Sequence, residues 1–282
     1  MVWMARHAAG GLIFIILLSG RLMASPTSQP VTEAIPPASS EDQKMEDLLN
    51  RPVPSVRLPG VALSDSMDFI RDITNANVYV DWKAIELAGV TENTRTTLLA
   101  TNIPLRQAFK KILESTGSHA LEIHVMHGAI VVSTILSFAD RKAQKGPYLA
   151  ELSDPTLAAA MWDTRLPSVQ LPPTTKFADA VDFLRDITGD DILVDWNKLK
   201  AAGIDRNNTV SLVLHDVRVS SVLYFILDQA GDGKLGYVTE LAQEMRYDKT
   251  LKMRVSKRVG LITISTIDDL VASKTEPTTR PN

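Results

Sequence analysis

Val181-Asp182-Phe183-Leu184-Arg185-Asp186-Ile187-Thr188 restates Met67-Asp68-Phe69-Ile70-Arg71-Asp72-Ile73-Thr74 at a distance of 114 positions. The same spacing carries Val80-Asp81-Trp82 onto Val194-Asp195-Trp196, Ala88-Gly89 onto Ala202-Gly203, Ile112-Leu113 onto Ile226-Leu227 and Gly117 onto Gly231, without a gap. Upstream, Pro54-Ser55-Val56 returns as Pro167-Ser168-Val169 at 113, so one residue is inserted before the first helix of the second copy. Two copies are too few for a solenoid, which needs about three or more stacked units. Each copy is long enough to be a domain.

Hydrophobic periodicity sets the elements of each copy. Residues 56–58 and 169–171 read as short strands. Leu63, Met67, Ile70 and Ile73 recur near helical spacing, as do Phe177, Val181, Leu184 and Ile187, with Ser64 as the expected N-cap. Residues 77–81 and 191–195 read as strands, each followed by a helical turn that closes at Gly89 or Gly203, where glycine takes the left-handed cap. Residues 96–99 and 210–214 are strands. A second helix begins near Pro104, a good first-turn residue, and carries Leu105, Ala108, Phe109, Ile112 and Leu113 on one face. Val219, Val222, Leu223, Ile226 and Leu227 match them. Two strands close each copy, at 121–125 and 130–133, then at 235–239 and 261–265. The expected fold is α+β: two tandem β-α-β-β-α-β-β modules, each a small sheet packed with two helices.

Beyond the repeat, Arg6 and His7 precede an apolar run over residues 8–19. That length suits a signal-peptide core and falls short of the roughly 20 residues of a membrane span. Ala24 fits a cleavage position, although Leu22 is large for its place and Arg21 interrupts the segment. Residues 1–24 are therefore expected to be a signal peptide or an N-terminal anchor, and either address is periplasmic or otherwise exported. Residues 25–45 form a Pro/Ser/Thr-rich tether, 46–135 the first module and 136–166 a linker with a helical segment, which either fixes the modules or leaves them free. Residues 167–270 form the second module and 271–282 a disordered tail.

A helix ending in Phe-Leu-Arg-Asp-Ile-Thr-Gly, a strand ending in Val-Asp-Trp, then Ala-Gly-Ile, Val-Ser-Leu, Leu-Gly-Tyr and Ile-Thr-Ile-Ser together resemble the short N-terminal domain of secretins and TonB-dependent signalling receptors. The resemblance covers residues 54–135 and 167–267. It implies a periplasmic protein-docking module without catalytic residues. The large pore-forming β domain of a secretin has no counterpart before Asn282, so an adaptor is expected rather than a channel.

Composition narrows the chemistry. With 45% hydrophobic and 22% charged residues the chain can build real cores. A net charge of −3 gives no electrostatic drive toward nucleic acid, and the absence of cysteine removes disulfides, thiolate metal sites, cysteine nucleophiles and a lipidated-cysteine anchor. Asp68 with Asp72, and Asp182 with Asp186, could act as paired carboxylates, but no nucleophile–base pair stands beside them, and a solvated helix face with Arg71 or Arg185 is the better reading. His124 and His127 point to opposite faces of a strand and His119 has no partner in the second copy, so no metal is expected. Gly231-Asp232-Gly233-Lys234-Leu235-Gly236 spells a dinucleotide fingerprint in the wrong context, after a helix and before a strand. Asp81-Trp82 and Asp195-Trp196 read as a helix cap and a core plug, with a contact anchor as the alternative.

The second copy also carries an insertion. Tyr237 to Ser265 spans 28 positions, whereas Ile123 to Ser133 spans 10, which leaves 18 added residues. They hold Arg246, Lys249, Lys252, Arg254, Lys257 and Arg258, with Leu251, Met253 and Val255 alternating at strand spacing. A protruding hairpin near 240–257 with one basic face is expected. It is either a docking arm for an acidic partner or membrane surface, or a solvated edge guard. These six cations are the candidate partner-binding residues; no catalytic, cofactor or metal residues are expected. The expected function is a non-catalytic exported docking or adaptor protein of a secretion or outer-membrane system. A homo-oligomeric envelope scaffold is the second reading and a hydrolase the most distant. Partners are expected to be envelope proteins or the chain itself, not nucleic acid, with membrane contact only through an uncleaved N-terminus.

Overall fold

The repeated octapeptide closes the first long helix of each module, α2 (Leu63–Thr74) and α6 (Phe177–Thr188). The computed structural model describes residues 40–143, 146–156, 164–248 and 253–275; at 142–143, 242–248, 253–259 and 274–275 it describes the backbone alone. The signal-like run, most of the tether, and Lys249 and Lys252 lie outside the described residues.

Each helix stops in the same way. The Thr74 hydroxyl donates to the Ile70 carbonyl at 2.5 Å and accepts from the Ala76 N–H at 3.2 Å. Thr188 repeats this with Leu184 and Asp190. The next residue is left-handed, Asn75 at φ 54° and Gly189 at φ 69°, which those two residue types tolerate. Met67, Ile70, Val181 and Leu184 are buried, while Ile73 and Ile187, expected on the same stripe, are over a third exposed. Helix α2 starts one residue before Ser64, whose hydroxyl instead bonds the Glu92 carbonyl at 3.3 Å; the N-cap is Ala62, without a side-chain bond.

The fold is α+β, and the first module follows the expected order. β1 (Pro52–Val53) and β2 (Val56–Ala62) lead into α2, β3 (Val78–Val80) and α3 (Trp82–Leu87). β4 (Arg95–Ala100), β5 (Ile103–Pro104), α4 (Leu105–Ser115), β6 (Leu121–Met126) and β7 (Ala129–Thr134) complete it. The second module runs β8 (Arg165–Lys176), α6, β9 (Asp191–Val194), α7 (Trp196–Ala201), β10 (Thr209–Arg218), α8 (Val219–Gly231), β11 (Leu235–Asp248) and β12 (Met253–Thr266). Each module has an antiparallel pair, β2 with β4 or β8 with β10, and a three-stranded sheet, β6-β7-β3 or β11-β12-β9, whose edge strand β3 or β9 runs parallel to its neighbour.

The one-residue difference between the copies is a bulge. Register slips on β2 between Leu58 and Val61, and on β8 between Leu171 and Thr175, in each case against two positions of the partner strand. Pro172-Pro173-Thr174 therefore replaces Pro59-Gly60, and the extra residue stays unpaired without disturbing the strand pairs beyond.

Two segments differ from the sequence reading, and the helical segment expected in the linker is present and packed. Residues 40–45, assigned to the tether, begin helix α1 (Ser40–Leu49), which buries Glu41 and Leu49. The 136–166 span holds α5 (Ile135–Ala143) and then a stretch lying along the outer edge of β11, where Tyr237 N–H donates to the Pro147 carbonyl at 2.6 Å and Leu149 N–H to the Tyr237 carbonyl at 3.1 Å. The tail begins helical, in α9 (Ile267–Thr275), because Leu270 packs on Leu149 and Val238.

The first module's sheet is buried on both faces. Val78, Val80, Ile130 and Val132 face its own core, while Tyr79, Ala129 and Val131 belong to the core of the second module. The element that covers them is α8. Its counterpart α4 buries one face and leaves Lys110 and Lys111 in water; at the same two positions α8 carries Tyr224 and Phe225, both buried. Phe225 packs against Tyr79 with the rings tilted and their centroids 4.5 Å apart. An all-round apolar helix is a helix with packing on every side.

Candidate functional site

A cleft of about 1400 Å³ opens where the two modules meet, between α3 and α5 on one side and the β8–β10 pair with α8 on the other. Its floor is an ion cluster. Arg141 of α5 donates from Nη2 to Asp81 Oδ2 at 2.6 Å and to Asp228 Oδ2 at 2.7 Å, and from Nη1 to the Ser137 hydroxyl at 2.7 Å. Ser133 donates to Asp81 Oδ2 at 2.8 Å and Tyr79 to Asp228 Oδ2 at 3.2 Å. Asp81 Oδ1 meanwhile accepts the Ala84 N–H at 3.1 Å, so the Asp-Trp motif caps α3 as its sequence implied and also engages Arg141.

The three charged side chains are only 12–13% exposed. Burial alone would lower the Arg141 pKa, but Asp228 and Asp81 more than offset it and hold the guanidinium charged. Burial first, then Asp228, pushes the Tyr79 phenol well up, which keeps it a neutral donor. Every member has its partners, so the cluster joins Asp81 of one copy to Asp228 of the other through the segment between them. Among the described residues the second copy has no such joint. Ser273 stands where Arg141 stands in α5, and the buried Ser265 hydroxyl, in the place of Ser133, has no hydrogen-bond partner.

Two further contacts tie the copies. The buried Asn77 amide donates to the His215 carbonyl at 2.9 Å and accepts the His215 N–H at 2.8 Å, imitating a strand bridge to β10. Helix α1 spans both copies: Asp42 accepts the Gly128 N–H at 2.7 Å, and Glu41 accepts from Arg165 and from Arg218 Nε at 3.1 Å. In the β6–β7 turn, His127 stacks on Tyr224 at 3.8 Å with its outer flank open to solvent. His124 instead bonds Glu122 at 2.9 Å, so these histidines serve different contacts.

The repeated carboxylates have a local task. Asp68 holds Arg71, whose Nε and Nη2 donate to the Val78 carbonyl at 3.1 and 2.7 Å. Asp182 holds Arg185 on the Ile192 carbonyl at 2.9 and 2.5 Å. Each arginine occupies a carbonyl of an edge strand, β3 or β9, which blunts that edge against strand addition. The glycine-rich run ends α8, with Asp232 left-handed at φ 54°. A Cβ at Gly231 would lie 2.3 Å from the Leu235 side chain, so this glycine is set by packing.

The walls of the cleft are less polar than its floor. Leu87 is 88% exposed, Leu136 76%, Ile135 50% and Val213 37%, and all four line it. Glu86, Glu92 and Asp140 stand among them, exposed and without an ion pair among the described residues.

The insertion is a straight ladder. β11 and β12 pair over fourteen rungs, from Leu235–Thr266 to Asp248–Met253, where β6 and β7 pair over six. The extra rungs lengthen the hairpin by roughly 27 Å at about 3.4 Å per residue. Its register divides the basic positions. Arg254 and Arg258 pair with Tyr247 and Gln243, whereas Arg246 pairs with Val255 and Lys257 with Glu244. Successive residues alternate faces, so Arg254 and Arg258 sit at positions of one face and Arg246 and Lys257 at positions of the other, not on one basic face.

No protein-family model, curated protein or solved structure matches the chain. Among the described residues, no three His, Asp or Glu side chains form a metal-holding group and no helix is long and apolar enough to cross a membrane.

Sequence reasoning placed the insertion and missed the cluster, because Arg141 fell in a span read as linker. Its signal was indirect: the exchange of Lys110-Lys111 for Tyr224-Phe225 between matched helices marks a helix face that has left water.

Proposed function

We propose that this chain is a non-catalytic, exported docking protein of the cell envelope, two modules of the secretin short N-terminal type joined as one body. The observation that carries the reading is the hairpin of β11 and β12. Its added length has no counterpart in the first copy, where β6 and β7 pair over six rungs rather than fourteen, and its own sequence concentrates six cations in thirteen residues. Two features support a binding role. The buried charges are engaged with one another, which suits a joint more than a reactive centre. The guarded edges of β3 and β9 disfavour strand addition there, which leaves the hairpin and the cleft as recognition surfaces.

The test is crosslinking in cells with the full chain and with a trimmed chain. In the trimmed chain residues 243–258 are replaced by Asn-Gly, a turn like the two-residue turn at His127-Gly128. A defined envelope protein recovered with the full chain and lost with the trimmed one is expected. Equal recovery with both removes the hairpin from the function. Reproducible hydrolase turnover abolished by Asp182→Asn would replace docking by catalysis.

A further inference from the structure

We infer that the inter-module cleft receives an extended peptide segment of a partner protein that carries cations and apolar side chains together, pinned through its backbone to Val213 of β10. The inference rests on the docking role proposed for this chain and names the chemistry of the partner at the cleft.

The backbone of β10 sets the shape of the occupant. In an antiparallel pair successive residues turn their N–H and carbonyl groups to opposite edges. Residues 211, 213 and 215 turn theirs away from β8, as the bonds at the outer two show. The Gln229 amide accepts the Ser211 N–H and donates to the Ser211 carbonyl, both at 2.8 Å. The Asn77 amide does the same at His215, at 2.8 and 2.9 Å. Two side-chain amides thus take the place of a neighbouring strand on either side of Val213. Val213 itself is exposed, lines the cleft, and has no backbone partner on that edge among the described residues. One rung is open between two closed ones. An extended backbone offers a carbonyl and an N–H from one residue to the same edge, whereas a helix uses both internally, so a strand-like segment fits this rung. With the neighbouring rungs closed, the segment is held at one residue rather than along a ladder. Side chains must supply the rest of the contact.

The lining sets their chemistry. Leu87, Ile135 and Leu136 stand in water in the same cleft, a grouping that marks an interaction surface rather than scattered exposure. The cations that line it are all engaged among the described residues: Arg71 with Asp68, Lys83 with Asp232 at 3.0 Å, and Arg141 with Asp81 and Asp228. Glu86, Glu92 and Asp140 are left over and exposed. An occupant that complements this surface brings Lys or Arg as well as apolar groups. Opposite charge speeds its encounter and makes binding sensitive to salt.

Selection of random decapeptides on the full chain tests this, with two variants. Val213→Pro closes the rung: it removes the outward N–H and leaves the bonds to β8, since an edge strand accepts proline where its missing N–H would face outward. The second variant, Glu86→Gln with Glu92→Gln and Asp140→Asn, removes the surplus charge. Circular dichroism checks both folds. Selected peptides are expected to combine Lys or Arg with apolar residues and to lose binding to both variants. Their affinity for the natural chain should fall about tenfold or more toward about 1 M salt, where the screening length is about 3 Å. Amide hydrogen exchange gives a readout without any substitution. In the free chain the Ser211 and His215 amides should exchange slowly and the Val213 amide fast; saturating peptide should slow Val213. No enriched peptide, enrichment of acidic sequences, binding that survives either variant, or a Val213 amide whose exchange the peptide leaves unchanged overturns the inference. Hairpin-dependent crosslinking of an envelope protein that is equally strong in both cleft variants also overturns it, and leaves the docking role standing on the hairpin alone.

Discussion

Arg141 brings Asp81 of one copy and Asp228 of the other onto a single Nη2 atom. Removing it leaves two carboxylates facing each other at low exposure, and loss of one partner from a buried ionic group costs about 3–5 kcal/mol. Arg141→Met is expected to lower urea stability by about that amount, with Arg141→Lys recovering only part, because an ammonium lacks the planar fork. An unchanged urea midpoint would mean that the cluster is not a joint. His127 gives a pH dependence. Desolvation of its ring, one face of which lies on Tyr224, lowers its pKa from 6.5 to about 4, against the opposing pull of Asp42. The depressed value favours the neutral ring in the folded state, so this contribution is whole above pH 6.5 and is lost as pH falls through about 4. Against a His127→Tyr variant, the natural chain should lose stability on acidification, modestly because the ring's outer flank meets water. Parallel acid titrations would contradict this. At this scale the sequence was legible where a residue acts locally, as with Asp81 and Asp195 capping the next helix. It was silent where two copies supply one cluster, because Asp81, Arg141 and Asp228 meet only after the modules dock.

Helices α4 and α8 are the same element in two surroundings. Both close the core of their module with matched apolar residues. Only α8 has a second neighbour, and the two lysines of α4 become Tyr224 and Phe225 there. Restoring the α4 residues, Tyr224→Lys with Phe225→Lys, should separate the modules without unfolding either core, seen as a larger radius of gyration in X-ray scattering. An unchanged radius would mean that other contacts carry the interface. The hairpin behaves oppositely. Most of its added length lies beyond the core, so trimming residues 243–258 should shift the melting temperature little while removing partner binding. A large loss of stability would make it a structural strap. The sequence located both ends of this insertion through its strand period and the repeat offset. It misjudged the basic face, because an alternation read along one strand does not fix which rung of the partner lies opposite.

The whole molecule reads as a repeat whose symmetry is broken where the two modules meet. The sheet of the first module packs its outer face on α8, while the equivalent face of the second module keeps Leu193 56% exposed. The exposed face of α4, with Lys110 and Lys111, offers no copy of the aromatic pair with which to continue the stack. Two modules therefore close on each other. The hairpin and the cleft are the surfaces they leave open, and a docking role depends on one body holding both at a fixed separation. Differential scanning calorimetry of the full chain beside the Tyr224→Lys, Phe225→Lys variant tests that dependence most directly. A single cooperative transition for the natural chain, split into two in the variant, is the predicted result. Two independent transitions in the natural chain, unaltered by the substitutions, would mean that the copies are separate domains and would contradict the account.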